Sequence, residues 1–345
     1  MVARGDARVP RRLLNGRRAV RARRLSARSA PAVFVCALST ALAIAAPTSA
    51  DARPAPGCNG AKALCERPFD RVVLPGAHNA MSSFDLGWKL PNQTLAIPDQ
   101  LRAGIRALLI DTHYGRLQAD GTVRTDDDGE LTEGQRGLYL CHSLCELGAS
   151  PLVDVLSSIR RFLRRHPFNV LGIVNEDHIA PADFAAAVEQ SRLIRHVYRG
   201  PPGPSWPTLR KMIATHQQVV VLAERDDGGL PWYHVAYDGI LQETPYSFRA
   251  PDLLIEPSNW AASCRPNRGG TTGSLFLVNH WSPSTAPPEP DPAASAAVNA
   301  ADVILGRARE CERLRGRLPS IIAADQVGYG GLLAAVRELN GVRQR

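Results

Sequence analysis

Residues able to move protons or hold a cation recur at the ends of short apolar runs. They are His78-Asn79, Asp111-Thr-His113, Cys141-His142-Ser143, Asn175-Glu176-Asp177-His178, Glu224-Arg225, Asn279-His280-Trp281 and Asp325. Taken alone, each has a bland reading, because a His or Asp at a strand end usually serves as a loop hydrogen-bonding group. Seven such ends in one chain ask for more. Two His, three carboxylates and an Asn gathered at one mouth would supply acid–base chemistry around a hard cation.

Such a gathering needs elements that end at one place. Apolar runs at 71–78, 107–113, 138–143, 170–177, 219–224, 240–244, 275–281 and 321–327 read as strands. Between them, Leu152, Val155, Leu156, Ile159, Phe162 and Leu163 fall on one helical face that Pro167 ends. Segments 181–198, 208–216, 297–315 and 331–339 also read as helices. Continuous apolar strands separated by helices indicate a parallel sheet buried on both faces. Eight of them predict an α/β chain in the form of one closed (β/α)8 barrel spanning 51–345, whose C-terminal strand ends share a mouth.

Two loops interrupt the pattern. The stretch 117–137 carries Asp120, Asp126, Asp127, Asp128, Glu130 and Glu133 without the rest of a calcium-loop pattern, and reads as a solvated acidic loop. The stretch 282–296 is rich in Pro and Ala and reads as a surface excursion.

The net charge of +8 does not belong to the domain. Residues 1–50 hold ten Arg and one acid, leaving 31 basic and 32 acidic residues in the rest. A basic face for nucleic acid is therefore not expected. The Arg-rich start, the apolar segment 31–46 and Thr48-Ser-Ala50 predict a signal peptide over 1–50 and a secreted, monomeric product. A membrane anchor through 31–46 is the competing reading, although about 16 residues fall short of the roughly 20 needed to span. Beyond that leader lie Cys58, Cys65, Cys141, Cys145, Cys264 and Cys311, an even number that reads as disulfides in an exported chain. Many pairings are open, and proximity favours 58–65, 141–145 and then 264–311.

Four segments together resemble a known family. Pro75-Gly-Ala-His-Asn-Ala-Met81, Gly104-Ile-Arg-Ala-Leu-Leu-Ile-Asp-Thr112, Leu140-Cys-His-Ser143 and Val174-Asn-Glu-Asp177 look like the X-domain of phosphatidylinositol-specific phospholipase C and its smaller secreted relatives. Trp206-Pro-Thr-Leu209, Cys264-Arg-Pro-Asn267 and Ile321-Ile-Ala-Ala-Asp325 extend the likeness over 69–342. The resemblance implies a distorted TIM barrel that cleaves a phosphodiester of a phospholipid at a membrane surface.

Carried over position by position, His78 and His142 match the family's two catalytic histidines, and we assign His78 as the base and His142 as the acid. Asn79, Asp111 and Glu176 match positions that hold calcium in the metal-dependent branch, and Asp325 matches an acid that hydrogen-bonds the first His in the metal-independent branch, a plain core-mouth hydrogen bond being its alternative role. One position departs: the calcium branch has a carboxylate two residues before Asp111, where this chain has Leu109. Alternate strand residues face the same side, so the expected calcium site lacks one anionic ligand and binds weakly. Two alternatives compete. One is a silent barrel that binds a phosphate or sugar head group. The other is a phosphodiesterase for another head group, of the magnesium type, which wants a Glu-x-Asp pair that Leu109-Ile-Asp111 lacks.

Overall fold

The computed structural model describes residues 57–246, 248–282 and 291–342; the expected leader at 1–50, its alternative anchor at 31–46 and part of the 282–296 loop lie outside them. Among the described residues no helix is long and apolar enough to cross a membrane. The strands are β1 (Leu74–Ala77), β2 (Ala107–Leu117), β3 (Val123–Thr125), β4 (Gln135–Leu140), β5 (Ser150–Pro151), β6 (Leu171–Asp177), β7 (Val219–Ala223), β8 (Tyr233–Val235), β9 (Leu241–Glu243), β10 (Leu275–His280) and β11 (Ile321–Ala324). Eight form one curled parallel sheet in the order β8-β7-β6-β2-β1-β11-β10-β9.

Helices fill the connections. They are α1 (Ile97–Ala103), α2 (Leu152–Arg165), α3 (Pro181–Gln190), α4 (Leu209–Ala214), α5 (Asp252–Ile255), α6 (Pro257–Ser263), α7 (Pro292–Val298), α8 (Ala301–Arg315) and α9 (Leu332–Leu339). On α2, Leu152, Leu156, Ile159, Phe162 and Leu163 are buried, the stripe that the 3.6-residue period predicts.

Side chains along the parallel strands divide by a two-residue period into two clusters. Leu74, Ala107, Val174, Val220, Leu222, Leu275, Leu277, Ile321 and Ala323 pack together inside the curl. Leu108, Ile110, Ile173, Val221, Phe276, Val278 and Ile322 pack on the outside with the helices. Continuing the inner phase up each strand leads to His78, Asp111, His113, Glu176, Glu224, Glu243, Asn279 and Asp325. The alternation that builds the core therefore aims these polar groups into the mouth.

Three expectations change. Among the described residues no ladder joins β8 to β9, so the barrel is open at that seam. The connection over 236–240 is far shorter than the dozen or so residues a parallel crossover needs. The run at 138–143 supplies β4, which is not a barrel strand but pairs antiparallel with the upper half of β2; burial pattern alone does not encode strand direction. Its place in the barrel is taken by the three-residue β8, too short to stand out in the sequence. Finally, the helix expected over 297–315 is two, α7 and α8, and that over 181–198 ends at Gln190, before a 3-10 turn at Leu193–His196.

Behind the barrel, Arg307 is fully buried and donates to Ser263 Oγ, Ser263 O, Asn279 O and His280 Nδ1. The Nε2–H of His280 donates to Val298 O at 2.8 Å. Burial, reinforced by Arg307, pulls the His280 pKa down to about 3. An unfolded His titrates near about 6.5. Between these values the unfolded chain binds the extra proton, so this contribution is complete above about pH 6.5 and is lost as pH falls toward 3. Stability should drop by about 1.4 kcal/mol per pH unit across that window from this group alone. Denaturant unfolding at a series of pH values should show a shallower acid slope in His280→Gln than in the parent. Parallel slopes would assign the acid limb to other groups.

Candidate active site

The loop after β1 carries the first imidazole. His78 continues the β1 pairing, its N–H donating to Ala324 O at 3.0 Å. Its Nδ1 lies 2.8 Å from Asp325 Oδ1. Asn92 Nδ2 donates to both oxygens of Asp325, at 3.3 and 3.2 Å. The buried carboxylate thus fixes Nδ1–H as the tautomer and leaves Nε2 of His78 as an acceptor. The ring of Trp281 stacks on that of His78, centroids 3.7 Å apart and 5° from parallel. Gln93 Nε2 clamps the backbone below by donating to His78 O and Ala324 O.

The second imidazole sits in a five-residue ring closed by the disulfide Cys141–Cys145, whose Cα atoms are 4.9 Å apart. The other bonds are Cys58–Cys65 and Cys264–Cys311. His142 lines the same cavity as His78, a space of about 670 Å³. Burial lowers the pKa of His142, and the neighbouring His78 lowers it further. After each of His78, His142 and Asp325 comes a non-glycine residue with left-handed backbone: Asn79 (φ 42°), Ser143 (φ 61°) and Gln326 (φ 50°). Residues held in this sparsely populated region collect at functional sites.

Strand register sets the carboxylates. Asp111 on β2 pairs with Glu176 on β6, one rung above Leu109 and Val174. The carboxyl of Asp111 is buried and accepts no hydrogen bond from the described residues. Burial, together with Glu176 and Glu224, pushes its pKa well above the usual carboxylate range. Glu176 is held below its ordinary value chiefly by His178, whose Nε2 lies 3.0 Å away. Asn79 donates through Nδ2 to Asn92 Oδ1 at 3.3 Å, leaving its own oxygen unused. An amide oxygen and two neighbouring carboxylates, one of which accepts no hydrogen bond from the described residues, are a donor set that fits a hard cation.

Across the cavity, Arg268 bridges Glu224, at the end of β7, and Glu243 on β9. Tyr237 Oη and Asn279 Nδ2 donate to the Glu243 carboxylate at 2.9 and 3.2 Å. The guanidinium also lies over the Tyr237 and Tyr246 rings, 4.2 and 4.9 Å from their centroids. This wall offers both donors and acceptors, the surface a polyhydroxylated group requires.

Comparison with known proteins adds the family. The sequence pattern of the PI-PLC X family matches residues 64–340. The chain belongs to that family. An uncharacterized secreted protein of Arthroderma benhamiae is 29% identical over 250 residues, covering 68% of this chain and 49% of its own length. The chain thus spans about half the length of that relative. The PI-PLC X domain-containing protein 1 of the same organism is 27% identical over 300 residues, covering 83% and 90% of the two chains. Among solved structures, a phosphatidylinositol-specific phospholipase C from Staphylococcus aureus aligns with a TM-score of 0.50 at 12% identity, over 81% of this chain and 94% of its own. That likeness concerns the fold: the open, curled sheet is a distorted TIM barrel.

In this PI-PLC X chain the cavity gathers His78, His142, Asn79, Asp111 and Glu176, and Asp325 reaches it through His78. Leu109 faces the same cavity, so no carboxylate stands there. Sequence reasoning missed Asn92, Tyr237 and Arg268, and it saw Trp281 only as a strand end. Asn92 and Arg268 lie in loops without periodicity; the signal for Arg268 was its place directly after Cys264-Arg-Pro-Asn267. The acidic stretch 117–137 is also not simply solvated. It forms β3 and β4, Asp126 is fully buried against Arg116 and Arg136, and Asp127 bonds His113.

Proposed function

We propose that this chain is an exported phosphodiesterase that cleaves the head-group phosphodiester of inositol phospholipids. The observation that carries the reading is the His78–Asp325 pair facing the same cavity as His142. Nε2 of His78 takes the proton from the inositol 2-hydroxyl as its oxygen attacks the neighbouring phosphorus. His142 gives a proton to the diacylglycerol oxygen as its bond to phosphorus breaks. The products are a cyclic inositol phosphate and diacylglycerol, and the two imidazoles end with one proton transferred between them. Asp325 steadies the imidazolium that forms on His78.

Asn79, Asp111 and Glu176 would hold calcium, which supplies positive charge beside the phosphate as negative charge builds. With Leu109 in the adjoining position, water completes that site and binding is weak. The neutral-to-acidic wall of Glu224, Glu243, Tyr237 and Arg268 receives the ring hydroxyls. Three disulfides support export, since such bonds persist in oxidising compartments. The protein acts as a monomer on a membrane surface.

Purified protein incubated with phosphatidylinositol vesicles tests the reading, with phosphatidylcholine vesicles beside it, each with calcium and with chelator. Release of water-soluble inositol phosphate only from phosphatidylinositol, and only with calcium, is expected. No turnover of any phospholipid in any condition would leave a binding barrel instead.

The Cys141–Cys145 bond gives a further expectation. Chain-entropy arithmetic for so short a loop allows roughly 2 kcal/mol of stability. Its larger role is to hold His142 in place on the loop that leaves the end of β4. Replacing both Cys by Ala should lower turnover about tenfold or more under conditions where the fold is intact by circular dichroism. In a His142→Ala background the same replacement should change turnover little. Unchanged turnover in the disulfide variant would show that the loop positions His142 without the bond.

A further inference from the structure

One rung above Asp111 and Glu176, the β2–β6 ladder continues with two imidazoles. The N–H of His178 donates to Thr112 O at 3.0 Å, extending the parallel pairing, and the rings of His113 and His178 stack with centroids 4.2 Å apart. Asp127 comes in from the loop between β3 and β4, its Oδ2 2.7 Å from His113 Nδ1. Nitrogen and oxygen ligand atoms of His113, Asp127 and His178 all lie within 4.8 Å of one another. All three residues line the cavity.

Two observations distinguish this cluster from a chance cluster of polar side chains. His113 is 2% exposed, and its Nε2 is buried without a hydrogen-bond partner among the described residues. That leaves Nδ1, which faces Asp127, as the nitrogen that an ion shared with Asp127 would take, the ring proton then residing on Nε2. The position of Asp127 is also built rather than incidental. The preceding Asp126 is fully buried, paired with Arg116 and Arg136, and accepts the Leu131 N–H at 2.9 Å. The second carboxylate oxygen of Asp127, Oδ1, accepts the Tyr114 N–H at 2.9 Å.

The donor type differs from that of the rung below. Imidazole nitrogen suits transition ions, whereas oxygen alone suits calcium. We propose that His113, His178 and Asp127 bind one divalent transition ion of the zinc class at the cavity mouth, separate from the hard-cation position at Asn79, Asp111 and Glu176. Three protein ligands leave a fourth position open toward the cavity. Glu176 on His178 Nε2 acts as the outer carboxylate that commonly orients a metal-binding His. Imidazole lone pairs lie in the ring plane, so the stacked rings fan apart about their soft outer torsions when the ion enters. The bound ion then ties the β3–β4 loop to β6. None of this depends on the phosphodiesterase reading.

Zinc alone serves as the probe. The full chain, stripped with chelator and dialysed, is incubated with zinc chloride and gel-filtered, and bound metal is measured. One zinc per chain should be retained, and the melting temperature should rise with zinc concentration. His113→Gln and His178→Gln should each abolish retention, and Asp127→Asn should weaken it by tenfold or more. His178 is partly exposed, so that variant keeps the fold even if a change at buried His113 does not. Asp111→Asn should retain zinc, which separates this site from the oxygen site. No retained zinc in the parent chain, retention undiminished in His178→Gln, or loss in Asp111→Asn would each overturn the proposal.

Discussion

His78→Ala and His142→Ala should each lower turnover by about 10²–10⁴-fold with the disulfides and helical signal unchanged, the range of a general base or acid. The two changes should not multiply, because both residues serve one proton transfer. A substrate with a good leaving group, such as a nitrophenyl phosphodiester of inositol, needs little protonation, so it should rescue His142→Ala far more than His78→Ala. The pH profile carries a second signature. The acid must be protonated to act, and burial beside His78 lowers the pKa of His142. Activity should therefore fall as pH rises through a value below the ordinary imidazole value of about 6.5. Equal rescue of both variants would reverse or dissolve the assigned roles. Near-parental activity in either would remove that residue from the chemistry.

Asp325→Asn is expected to be comparably damaging, by about 10²–10⁴-fold, although Asp325 touches no substrate. Asn92 donates to both carboxylate oxygens, and His78 Nδ1–H needs an acceptor on the same group. An amide has one oxygen for these two demands. Where its NH₂ faces His78, the proton moves to Nε2 and the ring can no longer accept one. The loss should appear in kcat with KM little changed, and the leaving-group substrate should not rescue it, as for His78→Ala. A loss below tenfold would reduce Asp325 to a structural partner of Asn92.

Much of this arrangement was legible in the chain because two-residue alternation runs unbroken from core to mouth. Leu74 to His78, Ala107 to Asp111 and Ile321 to Asp325 each read as a buried strand that ends in a polar group on its inner phase. What stayed hidden had no period to reveal it. β8 offers three residues, and the direction of β4 is set by its pairing with β2 rather than by its own composition. The seam between β8 and β9 is a property of a connection too short to cross over. Asn92 and Arg268 work by reaching across the fold, to Asp325 and to Glu224 and Glu243, from positions 233, 44 and 25 residues distant. Such partners become visible only when the chain is folded.

The unclosed seam has a consequence for self-association. An incomplete barrel has two terminal strands, and a strand edge with free backbone groups is a template on which another chain can add. Here each edge is three residues long, and the β9 edge is already occupied: Glu243 N–H donates to Arg268 O at 3.2 Å and Glu243 O accepts from Asn267 N–H at 3.1 Å. Glu243, inside the β9 edge, is a fully buried inward-pointing charge held by Arg268, so an intruding strand would have to displace an ion pair to extend the sheet. Short edges and inward charges are the devices by which natural sheets resist edge-to-edge aggregation. The same Arg268 that furnishes the cavity wall thus guards the gap against strand addition.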